Sequence, residues 1–240
     1  MSTSNYNLNR NRLGSLLLDI VYPNRCPCCD EYIPYDHYIC DDCLEAMAYP
    51  EDMLCKYCGF APENCKCGSG ISYDRAFVGY LYEGVARKGI ASLKLGTSLN
   101  FAKHIGLKLS DSISNNAIKY DLVVPVPMHI RKKLKRGYNQ AEVIAKEVAK
   151  GLGVPMEAKA LKVKYTKEAQ HNLSREDRIK HVSNLYYGGG LNLTDKYIVL
   201  VDDVITTGST LNVCSDILHG MGAKSVIVAV ATSTQMKHKR

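Results

Sequence analysis

The chain has 240 residues, of which 46% are hydrophobic, so it is long enough for one sizeable α/β domain with a smaller second domain. Lysine and arginine outnumber aspartate and glutamate by 31 to 24, and the resulting charge of +7 favours anionic partners without excluding other classes of soluble protein. No apolar run approaches the roughly 20 residues that span a bilayer. The short run at residues 16–21 is interrupted by Asp19, and no cleavage site follows it. We therefore expect a cytoplasmic protein.

The first 24 residues are predicted to form a polar tail followed by a short amphipathic helix. Apolar residues recur at helical spacing until Pro23 ends the pattern, at Leu13, Leu16, Leu17, Ile20 and Val21. This pattern favours a helix that packs on the neighbouring domain over one that lies on a membrane surface.

Nine of the ten cysteines lie between residues 26 and 67, and eight of these nine form four closely spaced pairs. Without a secretory signal such pairs favour metal binding, and a disulfide framework is the alternative. Because two pairs close one tetrahedral Zn²⁺ site, a domain over residues 25–68 is predicted to hold up to two structural zinc ions through Cys26, Cys29, Cys40, Cys43, Cys55, Cys58, Cys65 and Cys67. Sequential and crossed pairings both satisfy this spacing, and Cys28 is an extra thiol. The segment has few periodic apolar residues, so metal binding is expected to supply its folding energy.

A Gly-Ser-Gly sequence at residues 68–70 marks the boundary before a larger predicted domain over residues 71–240. A strand is expected over residues 73–82, followed by a helical region from Gly84 toward Ser110. Three cations of this region are expected on a solvated face rather than at a bound phosphate: Arg87, Lys88 and Lys94.

A second strand is expected over residues 121–127, which are apolar and end in Val-Pro-Val-Pro. The next segment, residues 128–140, is predicted to be a basic loop before an amphipathic helix over residues 141–152. A basic segment beside a helix start suits an anionic group, and a solvated loop is the equal alternative for its individual lysines.

The second half of the chain continues the alternation of strands and helices. A short strand is expected over residues 161–165, followed by a polar segment at 166–180 of the kind that often forms a mobile flap. A last buried strand is expected over residues 225–232, and a disordered basic tail over 237–240. Cys214 is expected to be a core residue of the preceding helix.

The most informative stretch runs from residue 197 to residue 211. Its first five residues predict a strand buried on both faces, and Asp202 and Asp203 stand where this strand is expected to end. A hydroxyl-rich turn then begins a helix, so that unpaired N–H groups and hydroxyls form a phosphate cradle at Thr206, Thr207, Gly208, Ser209 and Thr210. The two carboxylates suit sugar hydroxyls or a bridging divalent metal. The alternative is an ordinary capped acidic turn.

The alternating pattern predicts a doubly wound α/β domain with a mainly parallel sheet and a ligand at the carboxyl ends of its strands. The sequence Val-Asp-Asp-Val-Ile-Thr-Thr-Gly-Ser-Thr resembles the 5-phosphoribosyl-1-pyrophosphate (PRPP) signature of type I phosphoribosyltransferases. This resemblance implies that Asp202 and Asp203 hold ribose hydroxyls, that residues 206–210 hold the 5-phosphate, and that Mg²⁺ accompanies PRPP.

A second resemblance covers more of the chain. Arg-Gly-Tyr-Asn-Gln at residues 136–140, with the Val-Pro-Val-Pro sequence and the cysteine pairs, resembles the ComF family, which joins an N-terminal zinc ribbon to a phosphoribosyltransferase-like domain. It implies a role in natural competence, in which imported single-stranded DNA is handled. It also implies a pyrophosphate loop that includes Val126, Pro127, Arg131 and Arg136.

The predicted flap matches the ComF pattern in part. Gln170, Leu173 and Arg178 continue it, whereas Lys162 and Lys164 replace arginine and His181 replaces asparagine. Lysine does not reproduce the bidentate contacts of arginine, so these departures weaken a catalytic role for this segment.

Two functions are consistent with these patterns. In the first, the chain is a phosphoribosyltransferase that binds PRPP with Mg²⁺; no residue stands out as a base for an acceptor. In the second, it is a non-catalytic PRPP- or nucleotide-sensing adaptor that binds single-stranded DNA or a DNA-uptake helicase.

Overall fold

The computed structural model describes residues 23–50, 53–165 and 185–234. The predicted N-terminal helix, the predicted flap and the basic tail lie outside these residues, as do Gln170, Leu173, Arg178 and His181. Among the helices of the described residues, none is long and apolar enough to cross a membrane. The predicted domain boundaries at residues 24, 68 and 71 stay predictions.

A four-stranded parallel sheet forms the centre of the larger domain. In chain order, the strands of the described residues are β1 (Arg75–Leu81), β2 (Leu122–Pro125), β3 (Leu161–Val163), β4 (Tyr186–Gly188), β5 (Tyr197–Ile205) and β6 (Ser225–Ser233). The spatial order in the main sheet is β1-β6-β5-β2, while β3 and β4 pair antiparallel in a separate small sheet. The predicted α/β class with a mainly parallel sheet is confirmed.

The helices of the described residues are α1 (Asp41–Glu45), α2 (Gly84–Leu95), α3 (Asn100–Ser114), α4 (Ile130–Arg136), α5 (Gln140–Leu152) and α6 (Ser209–Gly220). The helical region predicted from Gly84 to Ser110 is two helices, because Gly96 takes a left-handed conformation and ends α2. Helices α3 and α5 pack closely. A Cβ on Gly106 would lie 2.3 Å from the Cβ of Glu147, so only glycine permits this approach.

Two further predictions were wrong in part. The basic segment predicted as a loop over residues 128–140 contains α4, whose first turn is capped where the His129 side chain accepts a hydrogen bond from the Arg131 N–H at 3.3 Å. Strand β5 does not end at Asp202. It continues to Ile205, because β6 pairs with it as far as Ser233.

The main sheet is covered on both faces, as the apolar runs of its strands predict. On β5, Val199 and Val201 face a core shared with α2, α3 and α5, whereas Ile198 and Leu200 face the core that includes α6. Cys214 on α6 is fully buried in the second core, as predicted.

The cysteine-rich segment covers the open edge of the sheet at β1. The Leu81 N–H donates to the Ala48 carbonyl at 3.1 Å, and the Ala76 N–H donates to the Lys56 carbonyl at 3.0 Å. These bonds satisfy edge groups that would otherwise be left unpaired. The segment also reaches around the edge, because Cys26 belongs to the core of the α3 face and Cys58 to that of the α6 face.

Candidate functional site

A pocket of about 560 Å³ opens at the carboxyl ends of β2 and β5. This is the position at which parallel α/β sheets bind ligands. Its walls bring together seven of the eleven predicted ligand-binding residues: Val126, Pro127, Arg131, Arg136, Asp202, Asp203 and Thr210. Thr206, Thr207, Gly208 and Ser209 are not among its lining residues; the first three form the turn between β5 and α6, and Ser209 begins α6.

The acid pair lies on one wall of the pocket. The Asp203 N–H donates to Oδ1 of Asp202 at 2.8 Å, which ties the two residues together. Burial, and secondarily the charge of Asp203, raise the pKa of Asp202 well above its usual range. A carboxyl held in this way is stabilised by a partner that supplies hydrogen-bond donors or positive charge.

Lys94 faces these carboxylates from α2. Its Nζ lies 3.2 Å from Oδ2 of Asp203, and both side chains are largely buried. The Tyr138 hydroxyl donates to the Leu93 carbonyl and so holds the end of α2 beside the pocket. The expectation that Lys94 lies on a solvated face was therefore wrong. Its spacing of four residues from buried Ile90 is the signal that places it on the inner face of the helix.

The turn before α6 has the backbone of a phosphate cradle. Gly208 adopts a φ of 76°, the left-handed region that favours glycine, and α6 begins at the next residue. The Oγ1 of Thr207 and the Oγ of Ser209 lie 3.1 Å apart, while Thr206 and Thr207 are exposed. The first N–H groups of a 12-residue helix thus lie beside hydroxyl donors, and phosphate binding at this turn stays a prediction.

The lining of the pocket also includes basic residues. Arg136 donates to Oε1 of Gln140 at 2.9 Å, and Arg131 donates to the Tyr165 hydroxyl at 2.8 Å. Between them, buried Asn139 caps α5 by accepting from the Ala141 N–H at 3.2 Å and donates to the Val126 carbonyl at 2.9 Å. The Asn139 contacts fix the start of α5 against the loop after β2, so that the helix end and two guanidinium groups line one wall.

Gln140 is a pocket residue that the sequence analysis quoted but did not assign to the site. Its side chain is 1% exposed, and its Nε2 has no hydrogen-bond partner among the described residues. A buried amide donor without a partner costs about 1–3 kcal/mol. Such a cost is offset where a ligand or water accepts the hydrogen bond, and the position at the start of α5 suits an anionic acceptor.

The eight predicted zinc ligands fall into two groups of four. The thiol sulfurs within each group all lie within 4.8 Å of one another: Cys26, Cys29, Cys40 and Cys43 in the first site, and Cys55, Cys58, Cys65 and Cys67 in the second site. The Sγ atoms of Cys29 and Cys40 are 3.6 Å apart, close to the roughly 3.8 Å edge of a ZnS₄ tetrahedron and far from the roughly 2.05 Å of a disulfide.

The cysteine pairs therefore combine sequentially, and the disulfide alternative does not fit. Cys28 is in neither group; it is buried in the core of the α3 face. All-cysteine sites leave no open coordination position, so both sites suit structural zinc.

Residues 134–239 match the phosphoribosyl transferase domain family, and residues 17–71 match the double zinc ribbon domain family. Competence protein F of Haemophilus influenzae is 33% identical over 131 residues, which are 53% of this chain and 57% of that protein. DNA utilization protein YhgH of Escherichia coli K12 is 26% identical over 203 residues, 85% of this chain and 81% of that protein. Competence protein ComFC of Streptococcus pneumoniae is 24% identical over 212 residues, 88% of this chain and 90% of that protein.

The fold and these matches define the class of protein: a type I phosphoribosyltransferase domain preceded by a double zinc ribbon. The resemblance of its motifs to the ComF family agrees with these matches, since the chain combines both domain families and its relatives include proteins named competence protein F and ComFC. The match to the Haemophilus protein spans a little over half of that protein's length.

Proposed function

We propose that the pocket binds PRPP together with Mg²⁺, and that the protein acts in natural competence, in the handling of imported single-stranded DNA. The observation that supports this ligand is the mixed lining of one pocket: the acid pair of β5, two arginines and the start of α5 all line it. Ribose phosphates carry both hydroxyls and anionic groups on one short scaffold, which suits a lining of carboxylates and guanidinium groups. The names of the relatives support the biological role.

In this proposal each group of lining residues binds one part of PRPP. Asp202 and Asp203 accept hydrogen bonds from ribose hydroxyls, and the turn at residues 206–210 binds the 5-phosphate. Arg131, Arg136 and the Val126–Pro127 backbone bind pyrophosphate, with Gln140 as an additional donor. Mg²⁺, when bound, neutralises charge on the pyrophosphate oxygens and so favours departure of this group from the anomeric carbon.

The ligand proposal is tested by titrating the protein with PRPP in a calorimeter, with and without Mg²⁺. We expect saturable binding that requires Mg²⁺ and that weakens at least about tenfold in Asp203→Asn, because a charged acceptor is lost. Asp216→Asn is the matched control, since Asp216 is exposed on α6. Wild-type protein that binds no PRPP, or an Asp203→Asn variant that binds as well as wild type, contradicts the proposal.

Whether the bound PRPP reacts is a separate question with its own measurement. If the protein is a transferase, pyrophosphate is released when PRPP, Mg²⁺ and candidate amines or bases are present. PRPP that binds but stays intact at stoichiometric protein, with every acceptor class tried, favours the sensing adaptor instead.

A second candidate function, binding of single-stranded DNA, is favoured by α4. Five of its seven residues are lysine or arginine, and most of these side chains are exposed. Phosphate contacts of this kind give an affinity that falls steeply with salt. A fluorescent oligonucleotide titrated at low and physiological salt tests this candidate, and an affinity that is absent or independent of salt removes it.

A further inference from the structure

The second zinc site packs against the turn at residues 206–210, which we call the phosphate turn. Phe60, which sits between the zinc ligands Cys58 and Cys65, is 2% exposed. Two of its ring atoms lie 3.3 Å from the position that a Cβ on Gly208 would occupy. The backbone of the turn therefore rests on an aromatic ring that the zinc-binding loop carries.

Tyr73 makes a second connection between the loop and the turn. Its hydroxyl donates to the Cys58 carbonyl at 2.9 Å. The Tyr73 hydroxyl oxygen also lies 3.8 Å from the position that a Cβ on Gly208 would occupy. The ring is 3% exposed, so this hydrogen bond is shielded from water. A carbonyl of a zinc ligand and the left-handed glycine of the phosphate turn thus share one buried side chain.

The end of β6 is hydrogen-bonded to the same loop, and the residue after β6 is hydrogen-bonded to the end of β5. The Ser233 Oγ donates to the Gly59 carbonyl at 2.9 Å, and the N–H of Thr234 donates to the Ile205 carbonyl at 3.0 Å. Ile205 is the last residue of β5 before the turn. Movement of the loop around Gly59 therefore displaces both the floor of the turn and the strand that leads into it.

The geometry of this loop fits a zinc site. The backbone bonds from Gly59 N–H to Cys55 O and from Cys55 N–H to Phe60 O, both 2.8 Å, close a tight knuckle, and four thiolates converge beside it. The four predicted ligands of the second site all fit this arrangement, whereas a short loop of this kind has little apolar surface of its own to stabilise it.

We propose that the second zinc site positions the phosphate turn. With zinc bound, Phe60 and Tyr73 hold Gly208 in its left-handed conformation and so aim the first N–H groups of α6 at an anion; without zinc, this support is lost. Phe60 is a positioning residue in this scheme, because it acts through Gly208. The proposal rests on the proposed binding of ribose phosphate at the turn.

The first zinc site supplies a built-in control, because it packs on the other face of the sheet. Cys29 and Cys65 are both exposed ligands, one from each site. Cys65→Ser is expected to weaken the binding of ribose 5-phosphate on the order of tenfold, within the usual range of coupling between sites, whereas Cys29→Ser leaves it near the wild-type value. Zinc content is measured for each variant, and one equivalent should be lost from each.

A readout without ligand separates this proposal from the proposed function. The N–H of Asn212 donates to the Gly208 carbonyl at 2.9 Å and reports the first turn of α6. Its hydrogen exchange should speed up in Cys65→Ser and stay unchanged in Cys29→Ser. If wild-type protein binds no ribose phosphate but this exchange pattern appears, the proposed function fails while the positioning stands; equal exchange in both variants overturns the positioning.

Variants of Phe60 keep the test decisive if Cys65→Ser does not fold. Phe60→Ala retains all zinc ligands and should weaken ribose 5-phosphate binding and speed Asn212 exchange, while Phe60→Leu, which keeps an apolar group under the turn, should restore most of both. Coupling is also reciprocal, so saturating ribose 5-phosphate should raise zinc retention at the second site by the same factor. A Phe60→Ala variant with wild-type affinity and exchange overturns the proposal.

Discussion

The two zinc sites have the same ligands and opposite surroundings. The first packs against α3, where Lys103 lies over the Tyr38 ring at 5.4 Å and Asn100 donates to Asn24 at 2.7 Å. The second packs against the turn between β5 and α6 through Phe60. The first site therefore packs against helix α3, and the second packs against the turn that follows β5 beside the candidate ligand pocket.

This difference shows that a small metal module is used in two ways within 45 residues of chain. Both sites substitute a metal for an apolar core that so short a segment does not build. Only the second is placed where its geometry reaches the proposed ligand. Substitutions and conditions that destabilise one face of the sheet at a time test this difference between the two sites.

Zinc removal is expected to have the largest effect. Structural zinc binds with apparent free energies of roughly 10–16 kcal/mol in zinc-finger peptides near pH 7, and this becomes folding energy where no core replaces it. A chelator should therefore unfold the cysteine-rich segment and lower the urea midpoint of the whole chain, because the segment covers β1. The chain has 16 tyrosines and no tryptophan, so tyrosine fluorescence reports the transition. Identical unfolding curves with and without the chelator would contradict this, and readdition of zinc is the control.

Acid pH should lower the stability of the α3 face of the sheet through protonation of His104. His104 on α3 lies 2.7 Å from the Tyr80 hydroxyl, and Tyr80 stacks edge-on against Tyr49 of the cysteine-rich segment at 5.3 Å. Burial, with a smaller contribution from Lys108, lowers the pKa of His104 to about 4. The unfolded chain then binds the proton first, so this stability is complete above about pH 6.5 and is lost as the pH falls toward 4; over that window it amounts to about 3 kcal/mol.

His104→Gln isolates this effect, because glutamine retains a hydrogen-bonding group beside Tyr80 but does not titrate. The free energy of unfolding, measured in urea at several pH values, should fall more steeply in wild type than in the variant between pH 6.5 and 4.5. The difference between the two curves cancels protonation of the zinc thiolates, which both proteins share. Parallel curves would mean that His104 is not the titrating group.

Much of this arrangement could be predicted from the sequence because its signals are local. The cysteine spacing predicts eight ligands, and the run of acids, hydroxyls and glycine after an apolar strand predicts strand β5 and the start of α6. What local patterns do not contain is pairing across the chain. The extension of β5 to Ile205 depends on β6, the placement of β3 outside the main sheet depends on β4, and the sequential pairing of the cysteines depends on three-dimensional proximity.

The residues that the prediction missed follow the same rule. Lys94 faces Asp203 at the end of α2, and this helix end is held by Tyr138, which lies far along the chain and bonds the Leu93 carbonyl. Phe60 reads as an ordinary apolar residue between cysteines, and its contact with Gly208 arises from the way the ribbon reaches around the sheet edge. Residue types that support a site through backbone contact carry no chemical signature in the sequence.

Gly208→Ala should destabilise the turn between β5 and α6, which contacts Phe60 of the second zinc site. Alanine in the left-handed region costs about 1–2 kcal/mol, and its methyl group would also press on the Phe60 ring at 3.3 Å. Gly190→Ala is the matched control, because Gly190 has a φ of 84° and no atom within 4 Å of the added carbon. The urea free energy of unfolding should therefore fall further in Gly208→Ala than in Gly190→Ala. An equal loss of unfolding free energy in both variants would show that the added methyl group at Gly208 does not clash with the Phe60 ring.

The smallest expected change has the opposite sign and lies in the pocket between the two faces. The raised pKa of Asp202 means that the folded state holds a proton more tightly than the unfolded state, so the contribution of this carboxyl to stability falls as the pH rises through its pKa. Asp202→Asn removes this penalty and keeps an oxygen to accept from the Asp203 N–H. It should therefore raise the free energy of unfolding by about 0.5–2 kcal/mol at pH 8, and by less at pH 4.

The same variant should bind PRPP more weakly, because an amide is a poorer acceptor for ribose hydroxyls than a carboxylate. Asp216→Asn, which changes an exposed carboxylate on α6, should leave both quantities unchanged. A gain in stability with a loss of affinity would show that Asp202 is maintained at a cost to the fold for the sake of its ligand. If Asp202→Asn instead destabilises the protein at pH 8, the acid is a structural partner of Lys94 and Asp203, and the case for a ribose site at the end of β5 is lost.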